Sequence, residues 1–226
     1  MRTGIGSDVL SAYDIVKTPT DTIVEIPIRM HPETGKPWGT FIADHALYLM
    51  KLGFSVELHS FDVWVTDMSW QGKDKDFLLE RLHAVKENLS VPSLGKAGTG
   101  VYIDGYTEFI EAGGNLVIAQ HPTVQLLTDG LQSGPLSICV CYQSLYGTAK
   151  ERFLSDGKNI EDDDSGIPVN HTIVVSDYMN SQFEVYNPWH ERQVLWVDEQ
   201  TLLMGIMAAQ IECDNQVLLV KKNNFN

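Results

Sequence analysis

The spacing of apolar residues changes near residue 135, and this change limits the fold more than any other feature of the sequence. Before it, apolar residues recur at helical spacing, most clearly over residues 74–89, where Leu78, Leu82 and Val85 share one face. After it, short apolar or alternating runs predict five strands, at residues 136–142, 171–178, 182–186, 193–197 and 216–221. Helices followed by an antiparallel sheet predict an α+β fold with segregated layers.

The N-terminal half also holds shorter predicted elements. Ser7 suits the N-cap of a helix over residues 7–16, because its hydroxyl can accept a bond from an otherwise unpaired backbone amide. Two stretches predict loops, the glycine-rich residues 92–106 and the acidic residues 147–170. Asp198 is placed to cap a last helix. Apolar spacing and glycines at helix ends predict the rest: helices near 42–52, 106–111 and 124–129, and strands at 54–58 and 116–119.

Length and charge limit the class of protein. The 226 residues suit a single domain, taken as residues 1–226. With 30 acidic and 16 basic side chains, the formal net charge is −14, which opposes binding to nucleic acid or anionic lipid and favours a basic partner. No apolar run approaches the roughly 20 residues that span a bilayer, and residues 1–6 lack the apolar core of a signal peptide. Three cysteines without metal spacing predict a reducing compartment, the cytoplasm.

Common cofactor and metal motifs are missing from the sequence. The seven histidines form no His-Glu-x-x-His pattern, and the acidic run 161–164 lacks the alternating oxygens and glycine of a calcium loop. There is neither a phosphate-binding Gly-x-x-x-x-Gly-Lys-Ser/Thr loop nor a Gly-x-Ser-x-Gly nucleophile turn. We therefore expect neither a metal nor a cofactor.

One histidine has an informative setting. His171 opens an apolar strand, and the next strand ends at Asn187, with a turn at residues 179–181 between them. In an antiparallel hairpin the start of one strand lies beside the end of the other, so the two side chains should meet at one sheet edge. An amide beside an imidazole fixes the tautomer and orientation of the ring, as a general base next to a nucleophile requires. The alternative is a strand-end histidine beside an ordinary Asn-Pro turn.

Several segments resemble, in chain order, those of the bacteriocin-processing-peptidase-like family. Residues 169–178 (VNHTIVVSDY) and 183–188 (FEVYNP) resemble its histidine and Asp/Asn strands. Residues 134–138 (GPLSI) and 142–147 (YQSLYG) resemble the strand before its histidine loop, and 43–54 (ADHALYLMKLGF) the helix after its nucleophile helix. The resemblance implies a papain-like cysteine peptidase fold, with a helical N-terminal half packed on a C-terminal antiparallel sheet, and a site containing His171 and Asn187.

The resemblance also implies a nucleophile that this chain lacks. The family places a cysteine at the start of its first helix, where the helix N-terminus lowers the thiol pKa, and a glutamine upstream that helps to hold the oxyanion. Here Ser7 occupies the nucleophile position in the preferred register and Ile5 in a second one, and no glutamine precedes them. Cys139 and Cys141 alternate within a strand and should pack as small apolar side chains.

Three functions follow from this pattern. The first is a degenerate peptidase-like protein that binds a peptide or protein partner in a papain-like cleft. The second is a working hydrolase or acyl transferase acting on peptide amide bonds, with Ser7 or a residue upstream of the given sequence as nucleophile. The third is a purely structural domain. The first two predict a cleft near Ser7, His171 and Asn187, with Trp189 either as its wall or packed at the sheet edge.

Overall fold

The computed structural model describes residues 26–30, 32, 35, 37–88, 95–154, 159–187, 194–212 and 214–221. The predicted helix over residues 7–16, with Ser7 and Ile5, lies outside these ranges, as do Trp189 and Cys213.

Six α-helices and eleven strands form within the described residues. The helices are α1 (Ile42–Lys51), α2 (Lys75–Asn88), α3 (Gly95–Glu111), α4 (Val124–Leu131), α5 (Tyr142–Tyr146) and α6 (Glu199–Ala208). The strands are β1 (Arg29–Met30), β2 (Pro37–Gly39), β3 (Ser55–Ser60), β4 (Asn115–Ile118), β5 (Leu136–Cys141), β6 (Glu151–Phe153), β7 (Asn159–Glu161), β8 (Asn170–Met179), β9 (Gln182–Tyr186), β10 (Val194–Asp198) and β11 (Gln216–Lys221). Short 3₁₀ helices span Met68–Trp70 and Ala209–Glu212.

A seven-stranded mixed sheet organises the fold, in the order β10-β9-β8-β5-β11-β3-β4. Among the described strands, β3 and β4 form the one parallel pair. Both come before residue 135, within the part of the chain predicted to be mainly helical, so the predicted segregation of helices from an antiparallel sheet along the chain is wrong. β3, which corresponds to the strand predicted at residues 54–58, pairs with β11 from the other end of the chain. A local apolar pattern does not reveal such a distant partner.

Helices cover both faces of the sheet. Along β11, Leu218 and Val220 belong to one apolar cluster and Val217 and Leu219 to another, as the alternation of side chains in a strand requires. The first cluster includes α1, α2 and α3, and the second includes α4, α5 and α6. The arrangement is therefore helices, sheet, helices, rather than one helical layer on one sheet.

The predicted loop over residues 92–106 is wrong, because α3 begins at Gly95 and runs to Glu111. A Cβ added at Gly105 would lie 3.3 Å from Cβ of Ala43 on α1, so glycine permits a close approach of the two helices. Burial of Ile103 and Phe109 in the same helix offsets the roughly 1 kcal/mol by which glycine disfavours a helix interior.

The other predicted loop, at residues 147–170, contains a small hairpin formed by β6 and β7. The capping role of Asp198 is confirmed: its carboxylate accepts the backbone amide of Thr201 at 3.0 Å. None of the helices in the described ranges combines the length and apolarity needed to cross a bilayer.

Candidate functional site

The hairpin of β8 and β9 brings His171 and Asn187 together at one edge of the sheet. His171 is the second residue of β8 and is paired with Val140 of β5, while Asn187 directly follows β9. Nε2 of His171 lies 2.8 Å from Oδ1 of Asn187, which confirms the proximity predicted from the spacing. The catalytic roles of His171, Asn187 and Ser7 stay predictions.

The hydrogen bond assigns the proton of the imidazole. An amide oxygen can only accept, so Nε2 of His171 carries hydrogen and donates it to Oδ1 of Asn187. Nδ1 is then the basic nitrogen of the neutral ring. His171 is 9% exposed and Asn187 2%, so little water competes for this bond. The arrangement matches what an oriented general base requires.

Two tyrosines of α5 complete the surroundings of the pair. Nδ2 of Asn187 donates to Oη of Tyr146 at 2.8 Å. The ring of Tyr142 meets the imidazole edge to face, with centroids 6.2 Å apart, and contacts the ring of Tyr146 at 4.5 Å. Both tyrosines belong to the segment 142–147 that resembles the peptidase family, and the resemblance gave them no role. Tyrosines four residues apart after a strand share one helix face, which is the sequence signal that could have paired them.

Both phenols are neutral near pH 7. Burial raises the pKa of Tyr146 to about 12, with the bond from Asn187 acting in the opposite direction. Burial also raises the pKa of Tyr142, and the carboxylates of Glu151 and Glu161 raise it further. Both glutamates line the same cavity as Tyr142, so acidic groups lie near the ring that contacts His171.

A cavity of about 230 Å³ lies against Tyr142, between α5 and the β6–β7 hairpin. Its lining is Tyr142, Thr148, Ala149, Glu151, Asn159, Ile160 and Glu161. Glu151 and Glu161 face each other across the hairpin, so the cavity has an acidic wall. Because Ser7 lies outside the described residues, the predicted cleft that joins Ser7 to His171 and Asn187 stays a prediction.

A larger groove of about 690 Å³ lies elsewhere, between α2 and the loop after β3, with Trp64, Trp70, Phe77 and Arg81 in its walls. The buried carboxylate of Asp62 accepts the backbone amides of Trp64 and Val65, at 2.7 and 3.1 Å. This groove was not predicted.

The described thiols do not face the imidazole. Cys139 and Cys141 are buried and alternate along β5 with Val140, whose side chain shares the sheet face of its partner His171. Both thiols are therefore directed to the opposite face. Within the described ranges, no group of three or more His, Cys, Asp or Glu side chains is arranged to hold a metal ion.

Comparison with known proteins gives little similarity. No family model and no curated protein matches the chain. Among solved structures, a Bacillus anthracis protein provisionally assigned as a C39-like peptidase is 12% identical, with a TM-score of 0.29. The match covers 45% of this chain and 48% of that one, so it spans about half the length of either protein.

Proposed function

We propose that residues 1–226 form one papain-like domain that keeps an oriented His171–Asn187 pair, lacks a cysteine nucleophile, and binds a peptide or protein partner beside that pair. The observation that carries the proposal is the 2.8 Å bond from Nε2 of His171 to Oδ1 of Asn187 at a buried sheet edge. The thiols of β5 are buried and form no disulfide, which supports the cytoplasm as the place where the protein acts.

The end of a strand does not require two buried polar side chains such as His171 and Asn187. A buried amide and a buried imidazole each need hydrogen-bond partners, and leaving such a group unpaired costs roughly 1–3 kcal/mol. A valine or leucine at either position would avoid that requirement, as the apolar residues Ile173 and Val185 in the same strands do. A binding or catalytic role accounts for polar groups here better than packing does.

The partner is proposed to be basic. The acidic wall formed by Glu151 and Glu161 lies against Tyr142, whose ring contacts His171. The whole chain carries a formal net charge of −14, which draws a basic segment toward the surface from a distance. A lysine or arginine side chain of the partner would find these carboxylates next to Tyr142, the ring that contacts His171.

The second candidate is a working hydrolase or acyl transferase. One observation favours it: with Nε2 donating to Asn187, Nδ1 is the basic nitrogen of the neutral ring, the one that would take a proton from a hydroxyl nucleophile. Ser7, or a residue upstream of the given sequence, would supply that hydroxyl.

A pair of assays separates the two candidates. A fluorophosphonate probe and a thiol-directed probe are applied to the full chain and to Ser7→Ala, His171→Ala and His83→Ala, the last being an exposed histidine of α2. The binding proposal expects no labelling that depends on His171. Labelling lost in Ser7→Ala and His171→Ala, but kept in His83→Ala, would establish the enzyme and refute the degenerate site.

The binding proposal has its own test. Peptides selected from a random display library on the wild-type chain are titrated by fluorescence anisotropy. We expect lysine- or arginine-rich peptides whose Kd rises at least about tenfold, or about 1.4 kcal/mol, in His171→Ala. The His83→Ala control should leave Kd unchanged. A library that gives no peptide with His171-dependent binding contradicts the proposal.

A further inference from the structure

We propose that Tyr146 is the positioning residue of the site: its phenol oxygen anchors the far end of the Asn187 amide, and so holds the near end in line with the His171 ring. The consequence for binding or catalysis rests on the proposed function, whereas the anchoring itself rests on the contacts.

The anchoring comes from a chain of two hydrogen bonds through one amide. Nδ2 of Asn187 donates to Oη of Tyr146 at 2.8 Å, and Oδ1 of the same amide accepts Nε2–H of His171 at 2.8 Å. Each end of the amide thus has a partner of the matching type. Because Asn187 is 2% exposed, water does not readily replace a lost partner.

Amide orientation and imidazole tautomer are linked. Turned by 180°, the amide would present Nδ2 to His171, so Nε2 would have to accept and the ring proton would move to Nδ1. The basic nitrogen of the ring would then be Nε2, which faces Asn187. A protonated ring, in which both nitrogens donate, is compatible only with Oδ1 facing it. The tautomer of His171 therefore reports whether the amide is held as described.

Tyr146 is placed to hold the Asn187 amide because it comes from a different element, the helix α5. Asn187 follows β9 and His171 lies on β8, whereas Tyr146 ends the helix that follows β5. Its ring is fixed by contact with Tyr142 at 4.5 Å. Removing its hydroxyl takes away the acceptor to which Nδ2 of Asn187 donates, so we expect the amide to turn more easily and its hold on the imidazole to weaken.

The test uses the full chain labelled with 15N at histidine. Long-range 1H–15N spectra give the tautomer of each neutral ring, and exchange of the ring proton gives its protection. In the wild type we expect His171, assigned with His171→Gln, as a single Nε2–H tautomer. In Tyr146→Phe we expect a mixture of tautomers and at least about tenfold faster exchange, as loss of a protecting bond implies. Tyr178→Phe makes the same change toward the other end of β8 and should match the wild type.

A second variant separates anchoring from packing. Aspartate at position 187 can accept from Nε2 but has no N–H that needs the phenol, so Tyr146→Phe combined with Asn187→Asp should regain the Nε2–H tautomer. A role in packing alone would give no such rescue. If Tyr146→Phe does not fold, the inference is tested by the His171 tautomer of the double variant alone.

Two results would overturn the inference: a single Nε2–H tautomer with wild-type exchange in Tyr146→Phe, or a double variant that does not regain this tautomer. Peptide titration of the same proteins keeps the proposed function separate. A changed tautomer with unchanged Kd would refute the function and leave the anchoring in place.

Discussion

Lowering the pH from 7 to 4 should destabilise the fold by about 3 kcal/mol through a single side chain, His45 on α1. The ring is 3% exposed, and Nε2 lies 3.0 Å from Oγ1 of Thr40. Burial lowers the pKa of His45 to about 4, because a cation there would lose its hydration, and the charge of Asp44 only partly opposes this. The position in the first turn of a helix also disfavours a positive charge.

The sign and the pH window follow from the two pKa values. In the unfolded chain a histidine takes up a proton near pH 6.5, whereas the folded chain resists until about pH 4. Between these values the unfolded state binds more protons, so stability falls as the pH falls. Each pH unit between these two values lowers the free energy of unfolding by about 1.4 kcal/mol, and this loss levels off below about pH 4.

Urea unfolding at pH 7, 6, 5 and 4 measures the effect. Carboxylates also contribute to acid sensitivity, so the informative quantity is the difference between the wild type and His45→Gln at each pH. That difference should change by about 3 kcal/mol in favour of the variant between pH 7 and 4. His83→Gln, which removes an exposed histidine, should run parallel to the wild type. Parallel curves for His45→Gln as well would refute the reasoning.

Two further predictions concern stability at pH 7. Arg29→Ala should lower the free energy of unfolding, measured in urea, by about 3–5 kcal/mol. The variant removes the cation that pairs with the nearly buried carboxylate of Asp44, at the start of α1. Lys86→Ala, which breaks an exposed ion pair, should cost less than about 1 kcal/mol, and equal losses would contradict this explanation. Gly114→Ala should lower stability by about 1–3 kcal/mol, because the new Cβ would clash with the ring of Phe109. Gly100→Ala has open space in α3 and should be neutral or stabilising, and a fall in its melting temperature like that of Gly114→Ala would argue against the steric cause.

The His171–Asn187 contact was predictable because it depends on a local hairpin. Strand pairing across a short turn fixes which residues meet, and the alternation in the sequence marks both strands. The role of Tyr146 depends on a third strand, β5, coming to lie beside β8. No spacing in the sequence encodes that pairing.

The errors in the fold have a similar origin. The glycine-rich start of α3 suggests a loop when local propensity alone is considered. The packing that supports the helix comes later in α3, where Gly105 lies close to Ala43 of α1, 62 residues earlier in the chain. Likewise, β3 has an ordinary strand pattern, but its pairing with β4 and β11 depends on how residues distant in sequence are buried on the two faces of the sheet.

The position of β11 has a consequence for synthesis on the ribosome. This strand joins β5 to β3, and its first residue pairs with Ser60, 156 residues earlier in the chain. At a translation rate of about 5–20 residues per second, β11 would be synthesised roughly 8–30 s after β3. Once β5 has also been translated, the nascent chain presents two unjoined apolar strand edges, β3 and β5, to solvent until β11 follows. A chaperone that shields strand edges would act in that interval, and slow codons shortly before residue 216 would prolong it.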